Sequence, residues 1–490
     1  MFNISVSSTN DFLSDDYRCQ TAAYFKDKQI CSLFTEICQK DSIKPTDNIT
    51  ATVICCKQNP KLLPTCASTT TPQPVFEPAS LWSFDNNTND SISNYHGVLS
   101  GSPIYRSPGL NGYGSALWFD AANNQFVNVP TYRNLSYRSF TVQMWFYSTD
   151  TSSYTCGLFG QCHAANADES LHYVLRNGSP RLSFYSDDLQ SSTIIQINTW
   201  YHITFVYNYS SFTQSIYRDG MLDCNRTSNN PYQGMSGSIV IGKTEQKPGT
   251  PWYFSGAIDE VLLSMKAKTA SEILDDATLV TYHSFDSQSY YDASSLRLKG
   301  TYANVTFSIG KINHAINFQS NSSFYEIDGF FLLGYTNRSY SISLWICPSF
   351  IQGSILIQQS TTTSGQDWCS YLLGFSPQGQ IIATIWAGSL VEIAGSILPS
   401  NVWSHIAYTY SSNNGLRLYV NGTLMNTTGS GLQYMCSGKL NTLVLANAVG
   451  NRSSCYSQSI VSDPYSGSLD ELRIYSRELA TDDIYVLSHP

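Results

Sequence analysis

Ser255-Gly-Ala-Ile-Asp-Glu-Val-Leu-Leu-Ser264 and Ser466-Gly-Ser-Leu-Asp-Glu-Leu-Arg-Ile-Tyr475 are one phrase written twice. Each is followed by a second shared fragment, Thr269-Ala-Ser-Glu-Ile-Leu274 and Thr481-Asp-Asp-Ile484. Working outward, Phe84-Asp85 answers Phe285-Asp286, Phe119 answers Phe318, and Trp145 answers Trp345. Trp200-Tyr-His202-Ile answers Trp403-Ser-His405-Ile, and Tyr217-Arg-Asp-Gly220 answers Tyr419-Val-Asn-Gly422. The offset stays near 200 residues until the last loop, where the second copy gains about nine around Cys436 and Cys455. Solenoid repeats run about 20 to 50 residues, so a period of this length is a duplicated domain. The added residues are expected to decorate a rim, since insertions belong to loops.

Within each copy the apolar pattern has period two. Phe140, Val142, Met144 and Phe146 alternate with other residues, as do Tyr340, Ile342, Leu344 and Ile346, which marks strands buried on one face. Asp219-Gly220 and Asn421-Gly422 sit between such runs and supply the positive φ angles of a two-residue hairpin. Helix signals are confined to the segment after each closing phrase: Thr269 with Glu272 forms a capping box, and Thr481 reads as an N-cap followed by Asp482 and Asp483. The fold class is therefore all-β, two tandem antiparallel sandwiches. We place a cysteine-rich module at residues 1–67, a Thr/Pro linker at 68–79, and the sandwiches at 80–277 and 278–490.

The order of these motifs resembles the laminin-G-like jelly-roll domain of the concanavalin A-like lectin and glucanase superfamily, in tandem over roughly residues 80–490. The resemblance implies two antiparallel sheets packed face to face. It also implies a calcium ion bound near the edge where first and last strands meet, which carries over to Asp259 and Asp470, with Asp85 and Asp286 or adjacent carbonyls. Oxygen ligands in sixes to eights suit that hard cation. The competing reading is that Asp259 and Asp470 tie down the final turn by accepting backbone hydrogen bonds.

Cysteines and sequons point to the extracellular space or cell surface. Six of thirteen cysteines, Cys19, Cys31, Cys38, Cys55, Cys56 and Cys66, crowd the first module, where disulfides stand in for a core. No Cys-x-x-Cys pair occurs there, which argues against zinc. In the sandwiches, Cys156 with Cys162, Cys347 with Cys369, and Cys436 with Cys455 are the expected bridges. Cys224 is left over, as an intermolecular bridge, a partner of something upstream, or a buried thiol. Asn-x-Ser/Thr acceptors recur, with Asn134, Asn337 and Asn421 the glycosylation candidates. The N-terminus shows no secretion signal and no run spans a bilayer, so the chain is expected to be a fragment or the ectodomain of something anchored upstream.

Catalytic signals are weak. The glucanase pattern Glu-x-Asp-x-x-Glu is missing; the nearest pair, Glu326 and Asp328, shares one strand face but reads as a solvated strand end. His202 and His405 lie beside Trp in strands without a matching acid or nucleophile, and read as structural. A net charge of −9 without acidic or basic blocks disfavours nucleic acid as a partner, and equally heparin-like ligands unless a basic patch forms locally. The 33 Tyr, 23 Phe and 9 Trp are expected mainly in sheets and cores. Three functions follow as expectations: non-catalytic recognition of glycans or extracellular proteins, a carbohydrate-active enzyme, or a spacer in a larger surface protein.

Overall fold

A computed structural model of the chain describes residues 21–25, 30–34, 79–110, 114–150, 155–294, 297–298, 300–363, 365, 367–448 and 455–490. The chain divides into two compact units, Met1–Phe76 and Glu77–Pro490. In the first unit Thr21–Phe25 pairs antiparallel with Ile30–Phe34. The linker up to residue 78, the side chain of Cys31, and Cys19, Cys38, Cys55, Cys56 and Cys66 lie outside the described residues, so the disulfide module expected there does too.

The second unit holds two sandwiches of the same plan. In the first, an eight-stranded sheet runs Met221–Thr227, Thr213–Arg218, Trp200–Asn208, Phe140–Ser148, Gly256–Ser264, Ala116–Phe119 and Ile104–Arg106, with Ala79–Trp82 also on Gly256–Ser264. A seven-stranded sheet faces it, running Asp188–Gln190, Ser179–Ser183, Ser170–Arg176, Thr155–Cys162, Ile239–Ile241, Phe126–Val129 and Val98–Ser100. The second sandwich repeats this as an eight-stranded sheet centred on Tyr340–Pro348 and Gly467–Tyr475, and a seven-stranded one centred on Asn441–Leu445 and Ser354–Ser360. Among the described residues the named strands of these sheets pair antiparallel, and the closing strand sits next to the Trp strand in both copies.

Period two explains the cores. Val142, Met144 and Phe146 point inward with Ile203, Phe205 and Tyr207 of the neighbouring strand; Ile342, Leu344 and Ile346 do the same with Ile406, Tyr408 and Tyr410. Much of the aromatic content is spent here: Tyr173 stacks on Phe205 at 4.2 Å, and Phe184 meets Tyr207 edge-on at 4.9 Å. The Ser-Gly of the closing phrase is dictated by close approach. Gly256 and Gly467 have φ of 139° and 142°, and a Cβ would fall 2.0 Å from Tyr147 O and 2.4 Å from Cys347 O. Asp219-Gly220 and Asn421-Gly422 adopt the expected positive φ, 51° and 82°, and 49° and 78°.

Thr269 and Glu272 form the capping box of helix Ala270–Thr278. The last helix differs from expectation: it spans Thr481–Ser488, so Ala480 occupies the N-cap position and Asp483 accepts its N–H at 3.0 Å. Asn134, Asn337 and Asn421 are all exposed. Among the described residues no helix is long and apolar enough to cross a membrane.

The expected disulfides are corrected by the sheet assignment. Cys369 pairs with Cys455, at a Cα separation of 4.7 Å. Cys347 lies in the eight-stranded sheet and Cys369 in the seven-stranded one, so they are not on neighbouring strands. Cys436 stays a thiol, because Cys455 is taken by Cys369. Cys156 and Cys162 sit on one extended strand, roughly 20 Å apart at about 3.3 Å per residue, too far for the under 7 Å that a bridge requires. Cys156 joins the core while Cys162 lines the opposite face. Cys224 is a half-buried thiol, pushed up to about 11 by burial.

Candidate functional site

The repeated Asp-Glu is a β-bulge. Pairing of the closing strand with the Trp strand slips at this point in both copies, and the glutamates, Glu260 and Glu471, take φ of 48° and 53°. The bulge turns each aspartate onto an incoming loop. Asp259 Oδ2 accepts the Leu110 N–H at 3.0 Å and its Oδ1 the Glu260 N–H at 3.0 Å. Asp470 accepts from Ile312 N at 3.0 Å and Glu471 N at 2.8 Å. Asp85 accepts from Ser115 N at 3.0 Å; Asp286 takes His314 N at 3.2 Å and Asn313 Nδ2 at 3.1 Å. Burial holds the Asp259 carboxyl well above the usual range, with the nearby Asp85 charge adding to it, and burial lifts Asp470 to about 7. Among the described residues the hydrogen-bond partners of these carboxylates are amide N–H groups, whereas calcium needs oxygen acceptors. Among the described residues no three His, Cys, Asp or Glu side chains gather as a metal centre. This set of donors fits an anchored turn rather than a cage for a hard cation.

His202 and His405 are packed against Trp145 and Trp345, with ring centroids 5.2 and 5.3 Å apart. They are 2% and 0% exposed, and burial drives both down to about 3, so they are neutral. His405 Nε2 meets Ser343 Oγ at 2.8 Å, but the pair is sealed in the sheet.

Glu326 corrects the reading of a solvated strand end. It points away from the core, between the inward Tyr325 and Ile327, yet it is only 8% exposed, and burial together with Asp328 pushes its carboxyl to about 7. Asp328 accepts Thr442 Oγ1 at 2.8 Å.

The outer face of each seven-stranded sheet carries a cover, and pockets open at its edges. In the first sandwich the hairpin Lys243–Glu245 with Pro251–Tyr253 lies across Thr155–Cys162. Gly157 and Gly160 make room for it: a Cβ on either would fall 2.3 Å from Trp252 O or Thr244 Oγ1. Beside it runs a groove of about 460 Å³ lined by Val98, Leu99, Phe126, Val240, Lys243 and Glu245. In the second sandwich the cover is the enlarged loop after Asn441–Leu445. Cys369–Cys455 staples it, Tyr456 bridges Ser370, and Ile460 packs on Ile355, Tyr371 and Ile382.

At one end of this cover lies a pocket of about 190 Å³, walled by Trp368, Trp386, Met435 and Cys436 with Asp367 and Lys439 at its lip. Trp368 and Trp386 meet edge-on at 6.0 Å, and Tyr456 sits 4.5 Å from Trp386. Lys439 Nζ is 2.8 Å from Asp367 Oδ2, both well exposed. The added residues lie across the sheet face as this cover rather than on a rim, and the pocket is walled instead by the segment before Asn441–Leu445. The two tryptophans themselves were hidden in the general aromatic excess; the usable signal was Trp368 directly before a cysteine.

The sequence pattern of the concanavalin A-like lectin/glucanases superfamily matches residues 121–274 and 320–485, well over half the chain. The chain belongs to this superfamily, as tandem laminin-G-like domains. A human adhesion G-protein coupled receptor, D1, is 31% identical over 86 residues, which are 18% of this chain and 9% of the receptor, so the match spans under a tenth of that relative. Among solved structures, domain 4 of the extracellular arabinanase AbnA from Geobacillus stearothermophilus, in complex with arabinotriose, is 20% identical, with TM-score 0.31, over 43% of this chain and 98% of that one. Domains LG4-5 of the mouse laminin α1 chain are 10% identical, with TM-score 0.22, over 71% of this chain and 86% of that one.

Proposed function

We propose that this is a non-catalytic recognition protein of the extracellular space or cell surface, and that its second sandwich binds glycan in the Trp368–Trp386 pocket. The carrying observation is the pocket itself: two partly exposed indoles and Tyr456 form an apolar corner whose lip carries an exposed carboxylate and an exposed ammonium. Aromatic faces take the C–H surface of a sugar ring, while Asp367 and Lys439 offer an acceptor and a donor to its hydroxyls. The pocket is the size of one ring, below the range of about 300–1,000 Å³ of larger ligand sites, so an end or branch residue of a glycan suits it. The amide donors around Asp259 and Asp470 support recognition that does not run through calcium.

Protein partners are the second reading. It rests on the groove of the first sandwich, where Val98 is 57% exposed beside Phe126. The enzyme reading would rest on Glu326, whose single neighbouring acid is already engaged by Thr442.

The test is a glycan and matrix-protein array probed with the intact chain, in calcium and in chelator, followed by titration of the best ligand. Trp386→Ala is expected to weaken glycan binding by on the order of tenfold to a hundredfold, from about 1–3 kcal/mol of lost stacking and burial, with binding equal in calcium and chelator. No glycan bound, or undiminished binding by the variant, would sink the proposal.

A further inference from the structure

The two copies treat the same bulge glutamate differently. In the second sandwich Glu471, 2% exposed, is saturated from within. Arg473 Nη2 lies 2.6 Å from Oε2, the Tyr282 hydroxyl donates at 3.0 Å, and the Arg473 guanidinium lies 4.0 Å from the Tyr282 ring centroid. Arg473 is paired with Tyr282 on one neighbouring strand and Ser343 on the other.

In the first sandwich the same register positions hold Leu262, Leu81 and Gln143. Glu260 keeps the bulge conformation but has lost both partners. Its Oε2 is buried without a hydrogen-bond partner, and so is Oε1 of Gln143, itself 3% exposed. In place of a tyrosine and an arginine head group there is a cavity of about 180 Å³. Trp145 and His202 wall it on the first sandwich; Tyr291 and Arg297, from the start of the second, form the far side. Tyr291 is 57% exposed, so the mouth opens to solvent.

We propose that this cavity binds a guanidinium or primary-ammonium group. The second sandwich supplies the template, since the group missing from the cavity is the guanidinium that neutralises Glu471. A planar guanidinium presents several N–H donors, enough for Glu260 Oε2 and Gln143 Oε1 together. Trp145 adds an aromatic wall; its counterpart Trp345 already holds the Lys311 ammonium 4.5 Å from its ring centroid. A buried carboxylate without a hydrogen-bonded cation is costly, and burial first, then Asp259 and Asp85, work against the charged form of Glu260 while Arg297 acts in the opposite sense, so a cation seated on Oε2 is the occupant that relieves the site. Arg297 is the chain's own competitor: its charge acts on Glu260, but its Nη2 donates to Ser91 Oγ at 3.3 Å.

The experiment titrates the full chain with methylguanidinium, with methylammonium and with the peptide Gly-Arg-Gly, by calorimetry or NMR. At least one cation is expected to saturate the wild type, and Glu260→Gln to weaken it by on the order of tenfold, one lost charge-assisted hydrogen bond. Leu262→Arg, which rebuilds the arrangement of the second sandwich, is expected to abolish binding while raising the unfolding midpoint, a readout that separates filling of the site from misfolding. Tighter binding of the peptide than of methylguanidinium identifies a side chain of a partner as the source; equal affinity identifies a free base. The proposal is overturned if no cation saturates the chain, if Glu260→Gln binds like wild type, or if binding appears only in Arg297→Ala, which would make Arg297 itself the occupant.

Discussion

Replacing Asp470 with alanine is expected to destabilise the second sandwich by about 4 kcal/mol, because two backbone donors, one buried and one partly buried, lose their acceptor and each unmade hydrogen bond costs about 1–3 kcal/mol. The donors are Ile312 N, which brings in the loop before His314–Phe318, and Glu471 N, held at a positive φ by the bulge. Asp470 is 0% exposed, so water does not replace the carboxylate. Asp259→Ala is the matching experiment in the first sandwich, where Leu110 and Glu260 are the donors. Denaturant unfolding followed by tryptophan fluorescence reads both; a loss below about 1 kcal/mol in either would show that the anchors contribute little.

The same residue has a pH signature. Its folded carboxyl titrates at about 7 while a free aspartate titrates near 3.9, so between these values the native state holds a proton that the unfolded chain has released. The contribution of Asp470 is therefore full below about pH 4 and is lost as pH rises through 7. His405 acts in the opposite sense. Burial lowers its imidazole to about 3 against roughly 6.5 unfolded, so its contribution is full above about pH 6.5 and is lost as pH falls toward 3. Subtracting the stability profile of Asp470→Asn from that of the wild type isolates the first slope; identical slopes for the two proteins would contradict it.

Removing the disulfide by Cys455→Ser is expected to have an effect of the same size. The bridge closes a chain separation of 86 residues, and the entropy of an open loop of that length corresponds to about 4–5 kcal/mol. Function should fall with it. Tyr456 is aligned by its bridge to Ser370 and sits against Trp386, so a released cover removes the ring that backs one wall of the aromatic pocket. Thermal unfolding with and without reductant measures the first effect, and titration of the glycan selected on the array measures the second. Cys347→Ser serves as the control, since that thiol is not bridged and lies in the eight-stranded sheet away from the pocket, and it should leave both readings close to wild type. A Cys455→Ser protein with unchanged midpoint and affinity would mean that the cover is held by Ile460 packing alone.

What could be read in advance follows from how far apart the interacting groups lie along the chain. Alternation in Phe140–Phe146, the hairpin pairs at Asp219 and Asn421, and the capping box at Thr269 are local, and their physics is complete within a few residues. The disulfide partner of Cys369 was not legible: which cysteine approaches it depends on a loop folding back across the outer face of another strand. Glu326 looked solvated for the same reason, because near-complete burial of an outward-pointing strand residue is set by what lies over the sheet. Trp368 immediately precedes the strand Cys369–Phe375 and Trp386 ends Gln380–Trp386, so the two meet only once those strands pair.

The doubled Asp-Glu phrase separates the two kinds of information. By itself the sequence determined that the chain carries one all-β domain twice, and that each copy closes on a strand with a glycine, an aspartate and a glutamate at fixed places, because backbone sterics and side-chain periodicity act over short distances. Only the tertiary structure decided that the aspartates anchor a loop brought from more than a hundred residues away, with Leu110 and Asp259 separated by 149 positions. It also decided that the glutamates have different fates, one neutralised by Arg473 and Tyr282 and the other facing a cavity at the junction of the sandwiches. The strand is the same in both copies; the environment of a buried charge is made by whichever elements pack against it.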